Sequence, residues 1–269
     1  MANYPGAYYA PRDKENKSGI VYDAAKKTIV FVEDFDSLEN EIKAVEEELG
    51  LNLNHIGPGN DTGLVLYLPF DENEGVVAGD KSHYSNDGDF IGAGEPAWSE
   101  GHKNTAVDFD GINDSIICPA TASLNTLTAL SVLCWVYRNA SDGRETIIYK
   151  SSANAGYHLG IETNNKLNLN LPDAGGNNQY QSTRTIPSGE WVHIAVVADG
   201  TNVNFYINGE SSGSPAQTVS PIVDHSAITM KIGWLTNSHA WNLIGKLDEL
   251  RVYNRALSID EVKMHYFRS

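Results

Sequence analysis

The chain has 269 residues, a formal net charge of −16 and 41% hydrophobic residues. The apolar content predicts a packed core rather than disorder, and the excess of carboxylates excludes nucleic acid and anionic lipid as partners. No run approaches the ~18 apolar residues that a membrane span needs, and the opening MANYPGAYYAPRDKENK has no basic start followed by an apolar block, so no secretory signal is expected.

Residues 1–20 carry Pro, Gly, Tyr and charge without periodicity, which reads as an extended arm or a frayed terminus. GIVYDAAKKTIVFV then predicts two short strands around Ala24–Lys27. In the acidic stretch that follows, Phe35, Leu38, Ile42, Val45 and Leu49 step by alternating threes and fours, the spacing of a coiled-coil seam. Asp36 or Ser37 caps this helix and Gly50 stops it. A stripe so narrow does not hold alone. It packs either on its own chain or on copies of itself, and a homo-oligomer, a trimer through residues 35–49, is the expected partner arrangement. The run LNLNHIGPGNDT is a turn-rich linker.

From Thr62 the texture changes. Short alternating or apolar runs, among them GLVLYLPF, LSVLCWVYR, KLNLNL and WVHIAVVA, are separated by Asn, Asp, Gly and Ser. Many strands at such spacing predict an antiparallel sandwich or barrel. Asp199-Gly200 and Asn208-Gly209 suit turns that need positive φ. The one helix expected here starts at Ser258, with Asp260 and Glu261 in its first turn. Cys118 and Cys134 both sit in apolar runs, as buried thiols or a single bridge. In WVHIAVVA, strict alternation puts Trp191, His193 and Ala195 on one face and Val192, Ile194 and Val196 on the other. The same alternation puts Asp248 beside Leu250 and Val252, where an unpaired carboxylate is costly to bury.

The order of these runs resembles a known family. LVLYLPFDENEG, AVDFDGINDSI, LSVLCWVYR, GEWVHIAVVADGTNVNFYINGE and GKLDELRVYNRALSIDEV are similar, in that order, to the strands of laminin-G-like, concanavalin A-like lectin/glucanase domains. The resemblance covers residues ~62–269 and implies a mostly β fold, a concanavalin A-like antiparallel jelly-roll β-sandwich. A short strand pair and an amphipathic helix precede it, which divides the chain into residues 1–60 and 61–269. The N-terminal segment is more weakly similar to bacteriophage tail and fibre proteins.

The resemblance implies one structural Ca²⁺ where the first and last strands meet. Asp248 is the closest match to the family's metal carboxylate, with Asp71, Asp110 and the carbonyl of Gly111 to complete a shell of six to eight oxygens. The alternative is that Asp71 and Asp110 only make turns and that Asp248 pairs with Lys246 or an arginine.

Sugars are gripped by aromatic faces and planar polar groups, and GWLTNSHAWNLIG offers Trp234, Asn237, His239, Trp241 and Asn242 in one loop. GGNNQYQSTR adds Tyr180 and Arg184. Either tryptophan could instead plug the edge of the sandwich.

Glycosidases need two carboxylates set across the scissile bond, yet Glu162, Glu190 and Glu249 are isolated in sequence, and there is no HExxH or GxSxG. His193 reads as structural. The expectation is therefore a non-catalytic module that binds cell-surface glycan or polysaccharide by avidity, on a virion such as a phage tail or on another extracellular surface. The alternatives are a purely structural decoration protein and a polysaccharide-degrading enzyme.

Overall fold

The computed structural model describes residues 19–23, 28–32, 62–91, 95–125, 128–139, 143–152, 155–213, 222–223, 228–234 and 241–269. The chain divides into two compact units, Met1–His55 and Ile56–Ser269. In the first, β1 (Gly19–Asp23) and β2 (Thr28–Val32) form an antiparallel pair that registers Asp23 against Thr28, as GIVYDAAKKTIVFV predicts. The expected helix over residues 35–49 lies outside the described residues.

The second unit begins with β3 (Leu64–Leu68), β4 (Val77–Ala78), β5 (Gly88–Ile91), β6 (Ala97–Glu100), β7 (Thr105–Asp110) and β8 (Ser115–Cys118). It continues through β9 (Leu130–Arg138), β10 (Glu145–Ser152), β11 (Ala155–Ile161), β12 (Lys166–Asp173), β13 (Gly176–Thr185) and β14 (Trp191–Ala198). It closes with β15 (Val203–Ile207), β16 (Glu210–Ser211), β17 (Met230–Ile232), β18 (Ile244–Tyr253) and one helix, α1 (Ile259–Arg268).

Two antiparallel sheets stack as a sandwich, as a jelly roll requires. The front sheet runs β13-β12-β11-β10-β17-β8-β5-β4. The back sheet runs β16-β15-β14-β9-β18-β7-β6, with β3 paired to β18. One apolar cluster fills the space between them, drawn from Val132, Cys134, Val136, Ile194, Val196 and Leu247 of the back sheet and Ile148, Tyr157, Leu159, Leu167, Leu169 and Leu171 of the front. Cys118 and Cys134 are both buried free thiols.

The central strands of the back sheet are apolar on both faces because both faces are covered. On β14, Ile194 and Val196 enter the core, while Ala195 and Val197 join Leu133, Tyr253 and Val262 in a second cluster that includes α1. Ser258 starts that helix with a capping box, accepting from the Glu261 amide while Glu261 accepts from the Ser258 amide. Asn208 (φ 50°) and Gly209 (φ 73°) take the left-handed turn that their pairing suggests. No described helix is long and apolar enough to cross a membrane.

One departure from the sequence pattern matters for the site. Strand β18 pairs Asp248 with Trp135 and Arg251 with Leu133, so three steps on β18 match two on β9. The extra residue is Glu249, a bulge at φ 55°. Its Oε2 receives the Arg251 guanidinium at 2.5 Å, and the Tyr67 hydroxyl donates to both carboxylate oxygens at 3.1 and 3.2 Å. The bulge reverses the alternation. Asp248 does not share a face with Leu250 and Val252; it lies with Trp135 on the side away from the core.

Candidate functional site

The loop between β17 and β18 is closed by the Leu243 amide donating to the Gly233 carbonyl at 2.8 Å. Trp234 stands at its start and Trp241 at its end. Asn237 and His239 lie outside the described residues. Trp234 is half-buried, with the Lys231 ammonium 4.1 Å from its ring centre and its indole N–H buried without a partner among the described residues. Trp241 is also half-buried. The Arg144 guanidinium lies 4.3 Å over its ring, and Glu162 holds that guanidinium at 2.5 Å. The carbonyl of Trp241 accepts from the Thr146 amide, which fastens the loop end to β10.

Trp241 borders the outer face of the front sheet. Its ring centre is 6.1 Å from that of His158, which meets Tyr149 edge-on at 5.5 Å and the Thr146 hydroxyl at 3.2 Å. Burial, then the positive charge of Arg144, lowers His158 to about 4, so the ring is neutral near pH 7. Across the sheet, register places Lys231, Tyr149, His158, Asn170 and Gln179 in one row. Asn168 lies two residues from Asn170 on the same face. The side-chain carbonyl oxygens of Asn168 and Asn170 are both buried with no partner among the described residues.

The expected metal ligands do not come together as a set. Asp248 is fully buried. One carboxylate oxygen accepts from the Lys103 amide at 2.9 Å; the other has no partner among the described residues. Burial, reinforced by the charges of Glu249 and Asp71, pushes this carboxyl up to about 7, against the opposing pull of the Lys103 amide. Asp71 is exposed at the Thr105 end of β7, where it accepts from the Asn104 side chain at 3.2 Å. Asp110 and Gly111 are at the other end. Asp110 faces Ile244, four residues from Asp248 along β18, which is roughly 14 Å at strand rise. There Asp110 accepts from the Ile112 amide at 2.7 Å and Gly111 from the Asn242 side chain at 3.4 Å, both turn-making roles. Among the described residues no three His, Cys, Asp or Glu side chains gather as a metal group. What remains of the expected set is one orphaned oxygen of Asp248 on which the charge of Asp71 acts.

A family model described as the concanavalin A-like lectin/glucanases superfamily, of laminin G type, matches residues 110–263. The chain belongs to this superfamily. Among solved structures, this lectin/glucanase-type chain is similar to the binding domain of Paraclostridial Mosquitocidal Protein 1, at 20% identity and TM-score 0.63 over 76% of this chain and 52% of that one. It is similar to Domain 4 of AbnA, an extracellular GH43 arabinanase from Geobacillus stearothermophilus solved with arabinotriose, at 21% identity and TM-score 0.57 over 75% and 97%. The binding domain of botulinum neurotoxin serotype G matches at 15% identity and TM-score 0.59 over 76% and 50%. The chain thus spans about half the length of these toxin domains and nearly all of the arabinanase domain. No curated protein matches in sequence.

The structure places two further expected glycan contacts on β13. Tyr180 is buried in the core cluster, opposite Leu169. Arg184 turns to the back sheet, where its guanidinium lies 3.5 Å from the Ile207 carbonyl. The outer-face residues His158, Asn168 and Asn170 were missed. The signal for the two asparagines was present in KLNLNL, where Leu inward forces Asn outward, and that for His158 in YHLGIE, where it alternates with Tyr157 and Leu159.

Proposed function

We propose that the chain is a non-catalytic carbohydrate-binding module. The observation that carries this is the border of the front sheet's outer face, where a half-buried Trp241 stands beside neutral His158 with the Arg144 guanidinium, held by Glu162, over its ring. An apolar ring beside a few fixed polar groups is the chemistry that orients a sugar. Structural neighbours support the class. One is an arabinanase domain in complex with arabinotriose, one a botulinum neurotoxin type C structure whose cell entry depends on two ganglioside molecules.

Cleavage is the reading these residues disfavour. Glu145, Glu162 and Glu249 are each held by an arginine, Arg138, Arg144 and Arg251 respectively. Asp248, whose carboxyl is raised, is fully buried and so out of reach of a substrate.

The setting we propose is an adhesive virion or surface particle, such as a phage tail, in which weak sites are multiplied by holding copies together. The seam spacing of residues 35–49 supports a trimer. Calcium enters the reading as a structural ion held by Asp248 and Asp71, where its charge would offset two carboxylates and tie the chain after β3 to β18.

A glycan array tests the function. Wild type binds a defined set of glycans, and Trp241→Ala lowers binding about tenfold or more while thermal unfolding stays cooperative. An array without a hit, or full binding by Trp241→Ala, overturns the proposal.

A further inference from the structure

Resting on the carbohydrate-binding reading, we infer that the ligand carries a negatively charged sugar, whose carboxylate or sulfate is received by the Lys231 ammonium beside the tryptophan loop.

Lys231 is a half-buried cation without a counter-charge. Arg144, Arg251 and Arg255 each lie against a glutamate, Glu162, Glu249 and Glu261. No carboxylate pairs with Lys231 among the described residues; its ammonium rests on the Trp234 ring instead, 4.1 Å from the ring centre. Burial lowers this ammonium below the ordinary lysine range, and no acid opposes the shift. The chain has 35 Asp and Glu against 19 Lys and Arg, so carboxylates are in excess and this lysine is bare all the same. A partly buried charge without a partner is costly, and an aromatic face offsets only part of the cost.

The lysine also stands in the right place. Met230 and Ile232 on either side of it enter the core, so alternation along β17 sends Lys231 to the outer face. There its neighbour on β10 is Tyr149, whose ring meets His158, which in turn meets Trp241. A cation and a sugar-stacking ring therefore border one patch.

That patch is positive although the chain is not. His158 is neutral near pH 7, and Arg144 is matched by Glu162. Asp89, on the same face, is separated from Lys231 by Ile117, two strand spacings or roughly 10 Å. This exceeds the screening length of roughly 8 Å at physiological salt. The net charge of −16 repels a polyanion at long range, whereas a single charge on a sugar already seated by ring contacts meets the lysine. An ammonium is a point charge with three donors and accepts a carboxylate or a sulfate alike.

The test is calorimetry on the full chain near pH 7 at physiological salt, in EDTA so that no cation bridges the ligand. The probes are sialyllactose, a glucuronate disaccharide and a galacturonate disaccharide, each beside its methyl ester, and a sulfated lactose beside lactose. At least one charged probe is expected to bind about tenfold or more tighter than its neutral counterpart, and the pair that responds tells carboxylate from sulfate. Lys231→Met keeps the stem over Trp234 and drops the charge, so it binds both members of that pair equally. Lys231→Arg keeps the preference, with cooperative unfolding as the check that each variant is folded. Neutral counterparts bound as tightly as the charged probes by wild type, or a preference that survives in Lys231→Met, overturns the inference while the carbohydrate reading stands. No saccharide bound by wild type overturns both.

Discussion

Replacing Asp248 by Asn tests the buried carboxyl under the loop of Lys103. Asp248 has an ordinary carboxylate value near 3.8 when unfolded and about 7 when folded. Between these values the unfolded chain releases the proton and the folded chain keeps it, so stability falls as pH rises from about 4 to about 7 and is flat beyond. Three units correspond to about 4 kcal/mol, or roughly ten degrees in the melting midpoint of a domain this size. Asn keeps an acceptor for the Lys103 amide and removes the ionisation. In EDTA the variant therefore gains on wild type steadily from pH 4 to pH 7, and the measurement is the difference in unfolding free energy from urea titration at each pH. The difference matters because three buried histidines move absolute stability the other way. Calcium is expected to erase the variant's advantage at pH 8 by stabilising the wild-type carboxylate. A difference that stays constant with pH refutes the burial argument; a pH-dependent difference that calcium leaves unchanged refutes the cation alone.

The histidines give their own prediction. Burial holds His158 near 4 and His193 and His265 near 3, below the ordinary 6.5. Their stabilising contribution is present above pH 6.5 and is lost as pH falls, by about 2 kcal/mol each at pH 5; an Asp248→Asn background, free of the opposing slope, shows this in urea titrations, and a flat profile from pH 7 to 5 contradicts it. Ser258→Ala removes the cap of α1 and is expected to lower unfolding free energy by about 1 kcal/mol without changing glycan affinity. Light scattering on the full chain is expected to give a trimer mass at micromolar concentration, and deletion of residues 33–50 a monomer; a monomer from the full chain ends the oligomer reading.

The fold was readable where one face is buried and alternation is strict. WVHIAVVA assigns its faces correctly because each residue has one choice, core or away from it. Alternation failed at Asp248 because a bulge adds a residue without leaving a Gly or Pro to mark it; Glu249 takes φ 55° and is steadied by Tyr67 and Arg251, which are remote or already part of the pattern. The metal set failed for a related reason. Asp71 and Asp110 both stand at strand ends in sequence, but β7 separates them by its whole length, and Asp248 lies in the middle of β18. Tyr180 was misplaced because GGNNQYQSTR looks like a loop by composition, whereas it is a ten-residue strand whose period-two pattern buries the ring. The tryptophan loop was legible because its composition is odd for a core.

That loop is fastened at both ends by main-chain bonds: Gly233 to Ile147, Leu243 to Gly233, and Thr146 to Trp241. None of these depends on which side chains fill the stretch between. Substitution or insertion between these fastenings therefore leaves the sandwich beneath with its stability intact.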